Sequence, residues 1–152
     1  MDHQQTFEKR SKAKISETKC EQHLISKNIQ FKKFGWDYNV DHIPGYNFIK
    51  LPEYMRALPD YVIFNKTASF VEVKGCKEFL RLKICDMNSY TFWIMVMNLY
   101  FFIYSTMTNK VYKLTYKDMN DITKHCSIEI YKDNKKHYYR VELEQLQKKQ
   151  RG

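Results

Sequence analysis

The sequence predicts an α/β fold: a mixed central β-sheet flanked by α-helices. Stretches of helical period alternate with short β-prone runs, in the order α, β, long loop, β, β, α, β, β, α, β, β, α, which is the pattern of a sheet with helices laid against it. Leu99 to Tyr104 (LYFFIY) is the most β-prone run and fits a central strand. At 43% hydrophobic and 16% aromatic residues, with only four Gly and three Pro, the chain can bury a core and is unlike a disordered segment. A length of 152 residues suits one domain, 1–152, with residues 1–13 as a flexible basic arm, a core over 16–104, and a C-terminal hairpin and helix over 105–152.

Lys14 to Asn28 reads as the first helix, because Cys20 and Leu24, and Ile25 and Ile29, recur four apart. Ser16 is a candidate start, and Glu17 projects near the apolar edge formed by Cys20, Leu24 and Asn28. Ile29 to Phe34 (IQFKKF) alternates as a strand should. Gly35 to Leu58, with its Gly, Pro and aromatic residues, reads as a long irregular excursion with a short helix near Glu53 to Leu58, and loops of that length are usually functional.

Tyr61 to Asn65 and Ser69 to Lys74 follow as two strands joined around Lys66 to Ala68. Phe70, Glu72 and Lys74 share one face of the second strand and Val71 and Val73 the other. A loop of three residues brings Asp60 onto the face of Glu72, opposite Lys74 and diagonal to Glu72. Gly75 is expected to break the strand, and a basic loop then leads into a helix over Leu82 to Met97, with Lys83, Asp86 and Tyr90 at near-helical spacing and Trp93 in the core. Val111 to Tyr116 reads as a strand, Lys117 to His125 as a short helix, Ser127 to Lys132 and His137 to Val141 as a hairpin around Asp133-Asn134, and Glu142 to Gln150 as the terminal helix.

The formal charge of +9 favours a polyanionic partner, since each Lys or Arg set against a phosphate releases condensed counterion. Basic clusters at Lys9 to Lys14, Lys27 to Lys33, Lys74 to Lys83 and Lys148 to Arg151 spread that charge widely. The cysteines Cys20, Cys76, Cys85 and Cys126 lack CxxC or zinc spacing, and no secretory signal precedes them, so free thiols in a reducing, cytoplasmic setting are expected. Met87 to Asn109 contains no charged residue and is long enough to suggest a membrane span. Its Asn and Ser residues and its β-prone end favour a buried helix followed by a strand, so no membrane partner is expected.

The chemistry concentrates between Leu58 and Lys74. Asp60 precedes one strand, and Glu72-Val73-Lys74 ends the next. Two carboxylates with a backbone carbonyl, that of Val73, suit Mg²⁺ or Mn²⁺, hard cations that take oxygen ligands. Such an ion can activate water, offset charge on a phosphodiester in transition and stabilise the leaving oxygen. Lys74, two residues after Glu72, faces the same place and can orient the water or meet developing negative charge. Glu-x-Lys alone is a weak signal whose bland alternative is a solvated strand edge.

Pro59-Asp60, eleven intervening residues and Glu72-Val73-Lys74 together resemble the signature of the PD-(D/E)XK nuclease superfamily, whose fold is restriction-endonuclease-like. Among its members the chain resembles phage or archaeal junction-resolving enzymes and small viral endonucleases. The resemblance implies a DNA endonuclease, acting on branched or otherwise non-duplex DNA, with Asp60 and Glu72 as metal ligands and Lys74 as the catalytic lysine. It also implies a glutamate from the upstream helix, Glu17 with Glu21 as the competitor, and a phosphate contact near Lys83 on the helix after the signature. Lys77, Arg81, Lys32 and Lys33 join Lys83 as nucleic-acid-binding candidates, and a homodimer follows by analogy with enzymes that cut both strands. An RNA-cleaving nuclease on the same scaffold and a non-catalytic basic nucleic-acid-binding protein are the competing readings. Trp36, Tyr38, Tyr46 and Tyr54 either stack on unpaired bases or pack on their own domain.

Overall fold

A computed structural model describes residues 3–37 and 41–151, with side chains described over 13–37 and 41–150. The chain opens with α1 (His3–Ser26), β1 (Gln30–Lys33) and two single-turn helices, α2 (Gly45–Phe48) and α3 (Glu53–Arg56). It continues through β2 (Tyr61–Phe64), β3 (Ala68–Cys76), β4 (Phe79–Lys83), α4 (Ile84–Trp93), β5 (Leu99–Ser105) and β6 (Lys110–Thr115). The last elements are α5 (Tyr116–Thr123), β7 (Ser127–Ile130), β8 (His137–Glu142) and α6 (Leu143–Arg151).

Five strands form one sheet in the order β1-β2-β3-β5-β6. All neighbours are antiparallel except β3 and β5, which makes the sheet mixed. Parallel strands need a crossover, which β4 and α4 supply. The period of two sorts side chains between two cores. Phe70 on one face packs with Leu99, Phe101, Ile103 and Leu114, and α4, α5 and α6 cover them with Tyr90, Trp93, Met119 and Leu146. Val71 and Val73 on the other face pack with Tyr61, Phe102 and Tyr104 beneath Cys20 and Leu24 of α1.

A Schellman motif ends α1: Ile29 N–H donates to the Leu24 carbonyl at 2.9 Å and Asn28 N–H to that of Ile25 at 3.0 Å. Asn28 has φ of 55°, a left-handed conformation that asparagine tolerates better than most residues. The turn reverses the chain straight into β1. At α5 a capping box between Thr115 and Asp118 satisfies donors at both ends of the first turn.

Several expectations need correction. Helix α1 starts at His3, ahead of the start at Lys14 that the apolar spacing gives. Gly75 does not end β3, because the parallel pairing with β5 continues through Gly75↔Tyr104 and Cys76↔Ser105. The basic loop expected after it is largely β4, which joins β8 and β7 in a second, three-stranded sheet. Leu80 and Leu82 point into the main core from β4, with Val141 from β8. Helix α4 runs from Ile84 to Trp93, so Lys83 precedes it at the cap and the apolar run to Met97 is turn.

The long excursion contains two short helices where one was expected. Trp36 donates its indole N–H to the Met55 carbonyl at 2.8 Å and meets Phe48 edge-on, while Tyr54 stacks on Phe92 at 4.1 Å. These two aromatics pack on their own domain, Tyr46 is exposed, and Tyr38 lies outside the described residues. Trp93 is buried in the core as expected. Among the described residues no helix is long and apolar enough to cross a membrane. The charge-free run is divided among α4, a turn and β5.

Candidate active site

Asp60 sits just before β2, and the β2–β3 register places it. Phe64 pairs with Ala68 and Tyr61 with Val71, so the three-residue loop is Asn65–Thr67. Continuing that register by one residue sets Asp60 beside Glu72, two residues short of the expected Lys74. The shift is even, so the face is unchanged.

The backbone holds Asp60 from both sides. Its carbonyl accepts the N–H groups of Phe34 at 2.8 Å and Gly35 at 3.1 Å. Its Oδ2 accepts the Val73 N–H at 2.7 Å, so the residue whose carbonyl is a candidate ligand also aims a candidate carboxylate. Gly35 is there because of crowding: a Cβ on it would lie 3.2 Å from both Asp60 Cα and the Pro59 carbonyl oxygen. Burial and the neighbouring Glu72 charge raise the Asp60 carboxyl well above its ordinary pKa, against the pull of the Val73 N–H and Lys74.

Glu72, in the middle of β3, is buried at 6% exposure. One oxygen is well supplied: Oε1 accepts the Tyr90 hydroxyl at 2.7 Å and pairs with Lys74 Nζ at 2.9 Å. The other, Oε2, is buried without a hydrogen-bond partner. An orphaned carboxylate oxygen in a folded interior is costly and calls for a cation or a donor. Lys74 also lies 3.5 Å from Asp86 Oδ2 and 5.9 Å above the Tyr90 ring. Burial works to lower the Lys74 pKa, but Glu72, Tyr90, Asp86 and Asp60 outweigh it and hold the ammonium well above the ordinary lysine value.

A cavity of about 200 Å³ opens onto this cluster, lined by Trp36, Arg56, Ala57, Leu58, Asp60, Glu72, Asp86 and Tyr90. Among the described residues no group of three or more His, Cys, Asp or Glu is arranged to hold a metal ion. Magnesium, however, is commonly held by one or two carboxylates with the remaining positions left to water and substrate. Asp60 and the orphaned Glu72 Oε2 fit that requirement.

The other candidates stand farther away. Helix α1 packs on the opposite face of the sheet from Glu72. Glu17 pairs with Lys33 at 3.0 Å, and Glu21 accepts the Tyr61 hydroxyl at 2.7 Å. Neither lines the cavity, though the Glu17 charge contributes to raising Asp60. Lys33 is thus engaged with Glu17, whereas Lys32, Lys77 and Arg81 are exposed and Lys83 is half-buried. Asp86, Tyr90 and Arg56 complete the cavity, and none of them was singled out as a site residue. The near-helical spacing of Asp86 and Tyr90 after the signature was the available signal; Arg56 had none. All four cysteines are free. Cys20, shielded in the second core and near three carboxylates, has its thiol pKa pushed up to about 12.

Neither a protein-family model nor a curated protein sequence matches the chain. Among solved structures it is similar to Hjc, a Holliday junction resolvase from Archaeoglobus fulgidus, with a TM-score of 0.52 and 12% identity over 90% of this chain and 88% of that one. It is also similar to D212, a nuclease from a fusselovirus, with a TM-score of 0.42 and 11% identity over 97% of this chain and 90% of that one. With the mixed sheet and its flanking helices, the Hjc likeness gives the chain the restriction-endonuclease-like fold, so the resemblance to the PD-(D/E)XK nucleases extends from the motif to the backbone that carries it.

Proposed function

We propose that the protein is a metal-dependent DNA endonuclease that hydrolyses phosphodiester bonds in branched or otherwise non-duplex DNA. The observation that carries this reading is the buried Glu72, with one oxygen held by Lys74 and Tyr90 and the other orphaned, in a cavity shared with Asp60. An incidental acid on a solvated strand edge would not be buried, aimed and left one ligand short. The likeness to a Holliday junction resolvase supports branched DNA as the substrate class.

Asp60, Glu72 and the Val73 carbonyl would hold Mg²⁺ or Mn²⁺, with Glu17, paired with Lys33 outside the cavity, as the candidate helix carboxylate. The bound ion would supply Lewis-acid activation of water and of the phosphoryl oxygen. Lys74, kept protonated by its carboxylate neighbours, acts as an electrostatic group and water orienter and not as a base. Tyr90 fixes Glu72 in one rotamer, and Val73 N–H fixes Asp60. Lys32, Lys77, Arg81 and Lys83 supply backbone contacts, and a homodimer would provide the two sites needed to cut both strands of a branch.

The test is incubation with labelled duplex, single-stranded and branched DNA, and with RNA, in Mg²⁺, Mn²⁺ or EDTA. Cleavage of branched DNA in either metal and none in EDTA is expected. Preferential RNA cleavage would move the substrate to RNA, and binding without cleavage of any substrate would make the protein a non-catalytic nucleic-acid binder.

A further inference from the structure

The outer face of the three-stranded sheet carries Arg81 and Lys83, named above only as backbone contacts, together with aromatic rings that the proposed reaction does not use. In β4 the inward residues are Leu80 and Leu82, which leaves Phe79, Arg81 and Lys83 outward. In β8, Tyr139 and Val141 face the core, and Tyr138 and Arg140 lie on the other face, where Tyr138 is buried against Tyr131. The register sets Arg81 directly opposite Arg140 and Lys83 opposite Tyr138. Two like charges paired across strands are unfavourable unless something offsets them. Glu142 at 2.7 Å and Glu129 at 3.6 Å offset Arg140. Among the described residues no carboxylate pairs with Arg81 or Lys83.

Aromatic rings flank those two cations instead. The Arg81 guanidinium lies 5.2 Å from the Phe79 ring, 5.6 Å from Tyr138 and 5.9 Å from Tyr131, and Lys83 Nζ lies 5.9 Å from Tyr131. Tyr131 rests on Tyr138 at 4.5 Å, held in the hairpin end by hydrogen bonds to Lys136 and from Lys135. The face lies beside the cavity: Lys83 stands at the N-cap position of α4, three residues before the cavity-lining Asp86.

We infer that this face is a docking surface for unpaired nucleotides of a DNA branch adjoining the candidate active site, with Tyr131 as the stacking platform and Arg81 and Lys83 as phosphate contacts; the Phe79 ring is already covered by the Arg140 guanidinium at 3.8 Å. The inference rests on the nuclease reading for its choice of DNA. Interleaved rings and unpaired cations suit single strands, because a base offers its π-face only where it is unstacked, whereas the interior of a duplex presents phosphates, sugars and groove edges.

The test measures affinity by fluorescence anisotropy in EDTA, where no metal-dependent cleavage occurs, for a duplex carrying a single-stranded flap and for the same duplex blunt-ended. Tyr131→Ala is expected to weaken flap binding about tenfold and blunt-duplex binding by less than about twofold, and Tyr131→Phe to retain wild-type affinity. Arg81→Gln, at an exposed position that leaves the hairpin intact, is expected to lower flap affinity several-fold and the salt dependence of log Kd by about one. Equal losses on both DNAs from Tyr131→Ala, or unchanged flap binding in Arg81→Gln, would overturn the inference. Tyr131-dependent flap binding by a wild-type protein that cleaves nothing would sink the nuclease reading and leave this surface standing.

Discussion

Asp60→Asn is expected to abolish cleavage while raising the thermal stability of the metal-free protein. The asparagine keeps an oxygen to accept the Val73 N–H, so the backbone clamp on Asp60 survives. It loses the negative charge that would hold a cation, and the loss in rate should exceed the roughly 10- to 100-fold typical of a supporting group outside the metal's own ligands. Stability moves the other way because burial and Glu72 make the ionised Asp60 unfavourable.

The sign follows from linkage. A carboxyl whose folded pKa is raised contributes stability when protonated and loses that contribution as pH rises through the folded value. Metal-free wild type is therefore at a disadvantage near neutral pH, and Asp60→Asn is not. A gain of about 1 kcal/mol, or roughly 2–4 °C in a domain of this size, is expected in EDTA near neutral pH. The difference should shrink as pH falls through the folded pKa. Thermal melts of the two proteins across that range check it, and a variant less stable at neutral pH would contradict the strained-pair account.

Lys74→Ala should also abolish cleavage, yet with the opposite effect on stability. Removing the ammonium leaves Glu72, 6% exposed, with a buried charge that only the Tyr90 hydroxyl serves. Breaking a buried ion pair from one side costs about 3 kcal/mol or more, a fall in melting temperature on the order of 6–12 °C. Added Mg²⁺ should recover part of it, because a cation at Oε2 would compensate the same carboxylate. Melts in EDTA and in Mg²⁺ read both effects, and a loss below about 1 kcal/mol would mean that Lys74 and Glu72 are not energetically coupled as their 2.9 Å contact implies.

The central sheet was legible because its strands obey local rules. Val71 and Val73 alternate with Phe70, Glu72 and Lys74, and Leu99 to Tyr104 is a buried run whose composition leaves little alternative to a strand. The second sheet was hidden by charge. Lys77, Glu78, Arg81 and Lys83 made the segment look like a loop, although Phe79-Leu80-Arg81-Leu82-Lys83 alternates with a period of two, and its leucines lie in the main core. Gly75 misled for a related reason, since its low strand preference is overridden by ladder bonds to β5.

Within the candidate site, Asp60, Glu72 and Lys74 could be found because signature spacing and strand parity both point to one face. The part played by Gly35 could not, because it depends on the approach of Pro59 and Asp60 from twenty-odd residues away. Arg56 comes to the cavity only through the path of the excursion, which no periodicity encodes. Glu17 could be preferred to Glu21 on the helix face, but their partners, Lys33 and the Tyr61 hydroxyl, depend on how α1 lies on the sheet, which no local spacing encodes.

The most direct measurement is Mn²⁺ binding by isothermal titration calorimetry to wild type, Asp60→Asn, Glu72→Gln and, as a surface control, Glu144→Gln, whose partner Lys148 is exposed. Wild type and the control should bind Mn²⁺ alike, and each substitution in the cavity should weaken binding by at least about tenfold. Equal Mn²⁺ affinity in all four proteins would contradict the assignment of Asp60 and Glu72 as the carboxylates that hold the metal.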